Sequence, residues 1–131
     1  MEIHIAAAAI LREDGAILLV RKRGTTAFMQ PGGKIDAGET PVAALRRELF
    51  EELGLNIQAE DAVYLGCFSA PAANEPGYLV SAEVFRLQMN NDFEAQAEIE
   101  EVVWVHPEMQ GQLVLAPLTR DMVLPAIWAE G

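Results

Sequence analysis

Residues 33–55 read GKIDAGETPVAALRRELFEELGL. Thr40 followed by Pro41 is an N-cap and first-turn pair, and Val42, Leu45, Leu49 and Leu53 then recur at helical spacing until Gly54 supplies a stop. The spacing predicts a helix from Pro41 to Leu53. Glu48, Glu51 and Glu52 stand at i, i+3 and i+4 on it, which puts three carboxylates on one face within about 60° of its centre line. The apolar stripe lies roughly 100° round from them. The helix can therefore bury its stripe and present a carboxylate cluster at an edge. Each neighbouring pair of like charges costs a few tenths of a kcal/mol, on the order of 0.3. An isolated E-x-x-E-E usually marks a solvated acidic face, but here a Gly-rich loop and Glu39 precede the helix.

Outward from this segment, Gln30-Pro31-Gly32-Gly33 excludes helix and lets the backbone approach a ligand, and Gly24 to Met29 reads as loop. Further upstream the apolar runs Ile3 to Leu11 and Ala16 to Val20 flank the polar turn Arg12–Gly15, a hairpin signal, and Arg21-Lys22-Arg23 closes the second strand. Downstream, Ala62 to Ser69, Tyr78 to Leu87 and Val102 to Val105 read as strands, with a Pro-, Ala- and Asn-rich loop from Ala70 to Gly77. The tail from Thr119 to Ala129 is roughly helical, with Pro125 kinking or dividing it. Without repeats or linkers, the expectation is one α+β domain over residues 1–131.

The segment 33–55 also resembles the Nudix box, G-x5-E-x7-R-E-U-x-E-E-x-G-U with U a bulky aliphatic residue. Gly33, Glu39, Arg47, Glu48, Leu49, Glu51, Glu52, Gly54 and Leu55 meet every defined position. With average residue usage, such a match arises by chance less than about once in a billion windows. The resemblance implies a Nudix hydrolase of the MutT-like kind, an α/β/α sandwich with a mixed β-sheet between helices. It implies that Glu51, Glu52 and the Gly32 carbonyl bind Mg²⁺ or Mn²⁺ with Glu48 a further ligand or water orienter, that Arg47 orients the carboxylates, and that Gly33, Glu39 and Gly54 are structural. The implied reaction is attack of water on phosphorus in a nucleoside diphosphate derivative. Oxygen-rich ligands suit Mg²⁺ or Mn²⁺ rather than zinc, consistent with the lack of a Cys or His cluster. His4 and His106 receive no role.

The family's general base varies in position; among Glu98, Glu100 and Glu101, Glu98 is the choice here. Arg21, Arg23 and Lys34 are donors for substrate phosphates, with Arg21 and Arg23 placed by alternation on one sheet face. Phe28, Gln30, Phe68, Asn74 and Tyr78 are candidates for contacting the base. Gln30 departs from the apolar residue common before Pro-Gly-Gly in nucleotide-cleaning relatives. Chain length and the short loop 24–29 favour a (deoxy)nucleoside triphosphate giving monophosphate and pyrophosphate. Pro71, 16 residues beyond Leu55, keeps ADP-ribose or nucleotide-sugar cleavage as an alternative, and a non-catalytic nucleotide-binding module is a third.

Twenty acidic against nine basic residues give a formal charge of −11, which disfavours a nucleic acid polymer as partner; a small nucleotide remains compatible if cations screen its phosphates. The single cysteine, Cys67, precludes an internal disulfide and is expected to be a buried, inert thiol. No apolar run is long enough for a transmembrane helix, so no membrane association and a cytoplasmic location are expected. Apolar residues at Leu113–Leu118 or in the tail could form a homodimer contact, although core packing is their commoner fate.

Overall fold

The computed structural model describes residues 1–128. Strands β1 (Glu2–Leu11), β2 (Ile17–Lys22) and β3 (Gly32–Lys34) precede helix α1 (Pro41–Leu53). Strands β4 (Val63–Pro71), β5 (Leu79–Gln88) and β6 (Ile99–Val105) follow, then a π-helical turn (Leu118–Val123) continuing into α2 (Leu124–Trp128). The strands form one mixed sheet in the order β4-β5-β1-β2-β6, with β3 attached to β1. β1 runs parallel to β5 from Glu2↔Leu79 to Leu11↔Gln88, and the other pairings are antiparallel.

The two-residue period of β1 divides the core. Ala6, Ala8 and Ile10 face α1, packing with Leu45 and Leu49, whereas Ala9 turns to the opposite layer with Leu118, Val123 and Leu124. Helical segments on both faces make the expected α/β/α sandwich. Ala6 to Ile10 are all essentially inaccessible, as is typical of a strand covered on both sides, and the short alanine side chains let both layers come close.

The helix has its expected bounds. Thr40 Oγ1 accepts from the Ala43 N–H at 3.2 Å, and Gly54, at φ +66°, closes the other end with its N–H on the Phe50 carbonyl. The hairpin turn also forms, with the Arg12 N–H on the Ala16 carbonyl at 2.9 Å. Several expectations change. Gly32–Lys34, read as loop, is a short strand because Ala6↔Gly33 and neighbouring pairs continue the ladder of β1. β6 begins at Ile99 rather than Val102, since it pairs with the end of β2. Cys67 is exposed: β4 is the sheet's edge, and its thiol meets the Ser81 hydroxyl at 3.2 Å.

In the tail, the helical pattern is a π-turn followed by α-helix, with the Leu124 N–H reaching back five residues to the Thr119 carbonyl. Pro125, which has no N–H to donate, follows at once and is absorbed without a break in the helix. Ala129 lies outside the described residues. Leu115, Ala116 and Leu118 are core, and only Val114 of that run is largely exposed. No described helix is long and apolar enough to cross a membrane.

Candidate active site

The three helix carboxylates do not share one environment. Glu52 is 2% exposed, packed between the helix and β3, whereas the Glu51 side chain is half exposed. The edge cluster expected from helical spacing thus has one member inside the protein. Its Oε1 accepts from the Gly32 N–H at 3.1 Å, and its Oε2 has no partner. Burial raises the Glu52 carboxyl to about 8; the Gly32 N–H and the Lys22 charge oppose the rise, and Glu48 and Glu98 add to it.

Glu48, one helical turn before Glu52, also presses on β3. A Cβ on Gly33 would lie 2.5 Å from the Glu48 carboxyl carbon, and one on Gly32 would lie 2.1 Å from the Ala6 carbonyl oxygen. Bare backbone at both positions lets β3 pass between β1 and the helix carboxylates.

Arg47 ties this layer together. Its Nε and Nη2 donate to the two Glu39 oxygens at 2.9 Å each, Nη1 donates to Glu48 Oε2 at 2.9 Å, and Nη2 also reaches the Lys34 carbonyl at 3.0 Å. Glu51, four residues on, is a weaker partner at 3.8 Å. The Arg47 fork and the Asp36 N–H hold the Glu39 carboxyl down at about 2. Glu39 therefore ties the loop to the helix through Arg47.

Among the described residues no three His, Cys, Asp or Glu side chains already converge on one point as a metal cage. A hard divalent cation nevertheless fits the donors present. Glu52 Oε2 is a buried carboxylate oxygen without a partner, Glu48 lies a turn away, and a cation there would offset the cost of ionising Glu52.

Beside β3 a cleft opens on the side away from α1. Its walls include Ile5, Met29, Val80 and Leu118, and its polar lining includes Lys22, Lys34, Gln30, Asn74 and Thr119. Gln30 and Thr119 are buried, and the Thr119 hydroxyl donates to Gln30 Oε1 at 3.1 Å. Lys34, Gln30 and Asn74 thus come together at the cleft. Arg21 and Arg23 do not line it: Arg21 bonds to Glu101 and the Thr25 carbonyl, and Arg23 pairs with Glu100 at 3.5 Å. Phe28 is 7% exposed and belongs to the core with Leu115. Glu98 is exposed and pairs with Lys22 at 3.5 Å. His4 bonds to Glu83, which also accepts from the Tyr64 hydroxyl, away from the cleft.

The family model described as NUDIX domain matches residues 2–123. The chain belongs to the NUDIX domain family. It is similar to an 8-oxo-dGTP diphosphatase of Haemophilus influenzae, 49% identical over 57 residues, which are 40% of this chain and 42% of that protein. Matches to the first curated relatives span between 25% and 62% of their own lengths. Among solved structures, a MutT protein from Methanosarcina mazei superposes with TM-score 0.80 at 24% identity, covering 98% of this chain and 95% of that one. The ORF135 protein of E. coli does so with TM-score 0.71 at 27% identity, over 98% and 89%.

Two residues lining the cleft escaped sequence reasoning. Lys22 lines the cleft where Arg21 and Arg23 do not, those two being held by Glu101 and Glu100. Thr119 is brought to Gln30 across 89 positions of sequence, a contact no local pattern announces.

Proposed function

We propose that this Nudix domain hydrolyses a phosphoanhydride bond in a nucleoside diphosphate derivative with Mg²⁺ or Mn²⁺, the leading substrate being a (deoxy)nucleoside triphosphate cleaved to monophosphate and pyrophosphate. The observation that carries the reading is the buried, unpartnered Glu52 Oε2 beside Glu48 and the glycine-rich β3, whose Gly32, Gly33 and Lys34 line an apolar cleft on their other side. Glu48, Glu51 and Glu52, with the Gly32 carbonyl, would hold the cation. When bound, such a cation makes water more acidic and neutralises charge on the leaving phosphate.

The protein's own groups account for the rest. Arg47 fixes Glu48 in place through a bond braced from the other side by Glu39. Lys22 and Lys34, both at the cleft, supply positive charge for the phosphates. Glu98, exposed and able to leave Lys22, is the group assigned to accept the proton of the attacking water. Apolar walls around Gln30 and Thr119 receive the base and exclude water from it. Pro71 also lines the cleft, which keeps ADP-ribose and nucleotide sugars in the substrate panel.

Product analysis with Mg²⁺ and a panel of nucleoside triphosphates, oxidised nucleotides, ADP-ribose and nucleotide sugars tests this. Monophosphate and pyrophosphate from a triphosphate are expected. Cleavage confined to ADP-ribose or nucleotide sugars would overturn the triphosphate assignment, and no turnover with either cation would overturn catalysis in favour of a binding module.

A further inference from the structure

Only three polar or charged residues among those described are buried: Gln30, Glu52 and Thr119. Glu52 belongs to the carboxylate site. The other two hold each other, with the Thr119 hydroxyl donating to Gln30 Oε1, and in this arrangement the Nε2 end of the amide is turned away from Thr119. The Gln30 Nε2 is left with no acceptor although Gln30 is 5% exposed. A buried donor without a partner is costly, and the cost vanishes when a ligand brings an acceptor.

Both residues line one cavity of about 140 Å³, roughly ten times the space a single water needs. Its other walls near them are Ile5, Met29, Val80 and Leu118, suited to the faces of a flat ring. Gln30 is also two positions before Gly32, whose N–H bonds Glu52. A ring seated against Gln30 is therefore beside β3, whose Gly32, Gly33 and Lys34 line the same cavity.

Resting on the proposed nucleotide hydrolysis, we propose that Gln30, bonded to Thr119, selects the base by donating from Nε2 to the carbonyl at C6 of a purine or C4 of a pyrimidine. Keto-bearing bases such as guanine, hypoxanthine and uracil offer that acceptor. Adenine and cytosine place an amino group at the equivalent edge, so that a donor meets a donor. The chain thus prefers keto over amino bases. Removing the amide removes the preference, because the site then has no fixed donor left unpaired by the wrong base.

The test is kcat/KM for GTP, ITP and UTP against ATP and CTP, and for the GDP-, UDP- and ADP-sugars, in wild type, Gln30→Leu and Thr119→Val. The wild type is expected to favour the keto member of each pair by about tenfold or more, the worth of a buried hydrogen bond and its unpaired alternative. Gln30→Leu is expected to bring the ratio near one, chiefly through KM for the keto substrate. Thr119→Val, which frees the amide to turn, is expected to narrow it. A wild-type ratio near one, or a ratio unchanged in Gln30→Leu, overturns the inference while leaving hydrolysis intact. Wild type that hydrolyses nothing overturns the catalytic reading alone. Calorimetric binding of GMP and AMP to the same proteins without metal then decides the inference: tighter GMP binding lost in Gln30→Leu supports it, and equal affinities refute it. Thr119→Val supplies the same comparison should Gln30→Leu fail to fold.

Discussion

Glu52→Gln is expected to raise the thermal stability of the metal-free protein while removing its activity. In the folded chain burial lifts this carboxyl from its ordinary 4.5 to about 8. Between those values the unfolded chain has released the proton and the folded chain still holds it. Stability attributable to Glu52 is therefore full below pH 4.5 and is lost progressively as pH rises to about 8. At about 1.4 kcal/mol per pH unit, the loss accumulated from pH 4.5 to pH 7 is about 3 kcal/mol. A glutamine keeps an oxygen for the Gly32 N–H and carries no charge to be desolvated, so it escapes this loss. For a domain of this size about 3 kcal/mol corresponds to a melting temperature higher by roughly 10 °C. The assay is thermal unfolding by circular dichroism in EDTA at pH 5, 6, 7 and 8, repeated with millimolar Mg²⁺. The gap between variant and wild type should widen with pH in EDTA. Mg²⁺ should raise the wild type and leave the variant unmoved, since an amide binds the cation poorly. Turnover of the variant should fall by orders of magnitude. A variant that melts below the wild type at pH 7 in EDTA would refute the account of Glu52 as a buried, reluctant anion.

Gly33→Ala should cut activity at least tenfold, roughly the effect of misplacing one catalytic group, because its methyl group would displace the Glu48 carboxylate 2.5 Å away; Gly111→Ala, where nothing lies within 4 Å and the backbone is not left-handed, serves as control, and equal activities would remove the packing argument. Arg47→Lys should lower kcat by one to two orders of magnitude, since an ammonium cannot make the paired bonds to Glu39 together with the bond to Glu48. The same variant should also lose the acid resistance that Arg47 confers: Glu39, held at about 2, contributes stability above pH 4.5 that disappears as pH falls towards 2, and an unchanged acid transition would contradict this. Tyr64 is raised to about 12 by its bond to Glu83, so ultraviolet titration of the two-tyrosine chain should show a phenolate step near pH 12 that Tyr64→Phe abolishes; a step that stays in the variant would assign it elsewhere.

Helix α1 was legible because its determinants are local. Thr40, Pro41, the Leu45–Leu49–Leu53 stripe and Gly54 act within a turn or two of where they stand. The strands were legible for the same reason, from runs of apolar residues between turns, and the box carried the family. What sequence spacing could not convey was depth. On a helical wheel at ~100° per residue Glu52 falls about 20° from Leu45 and Glu51 about 120° from it, but it is β3 crossing above Glu52 that encloses its carboxylate while Glu51 stays half in water. That crossing depends on β1 pairing with Gly32–Lys34, a contact between distant segments.

The cleft shows the same division. Alternation along β2 put Arg21 and Arg23 on one face as phosphate donors, but Glu101 and Glu100 engage them and Lys22 lines the cleft instead. Phe28 was a plausible base contact by type, and packing against Leu115 took it into the core. Cys67 looked like a core thiol in an apolar strand, and the position of β4 at the sheet's edge exposed it. The amino-acid sequence by itself determined the helix, its caps, the carboxylate spacing and the bare glycines, because propensity and periodicity are short-range properties. Only the tertiary structure decided which carboxylate is buried, which cation reaches the cleft and which hydroxyl orients Gln30, because burial and electrostatic neighbours are set by segments that meet across the sheet.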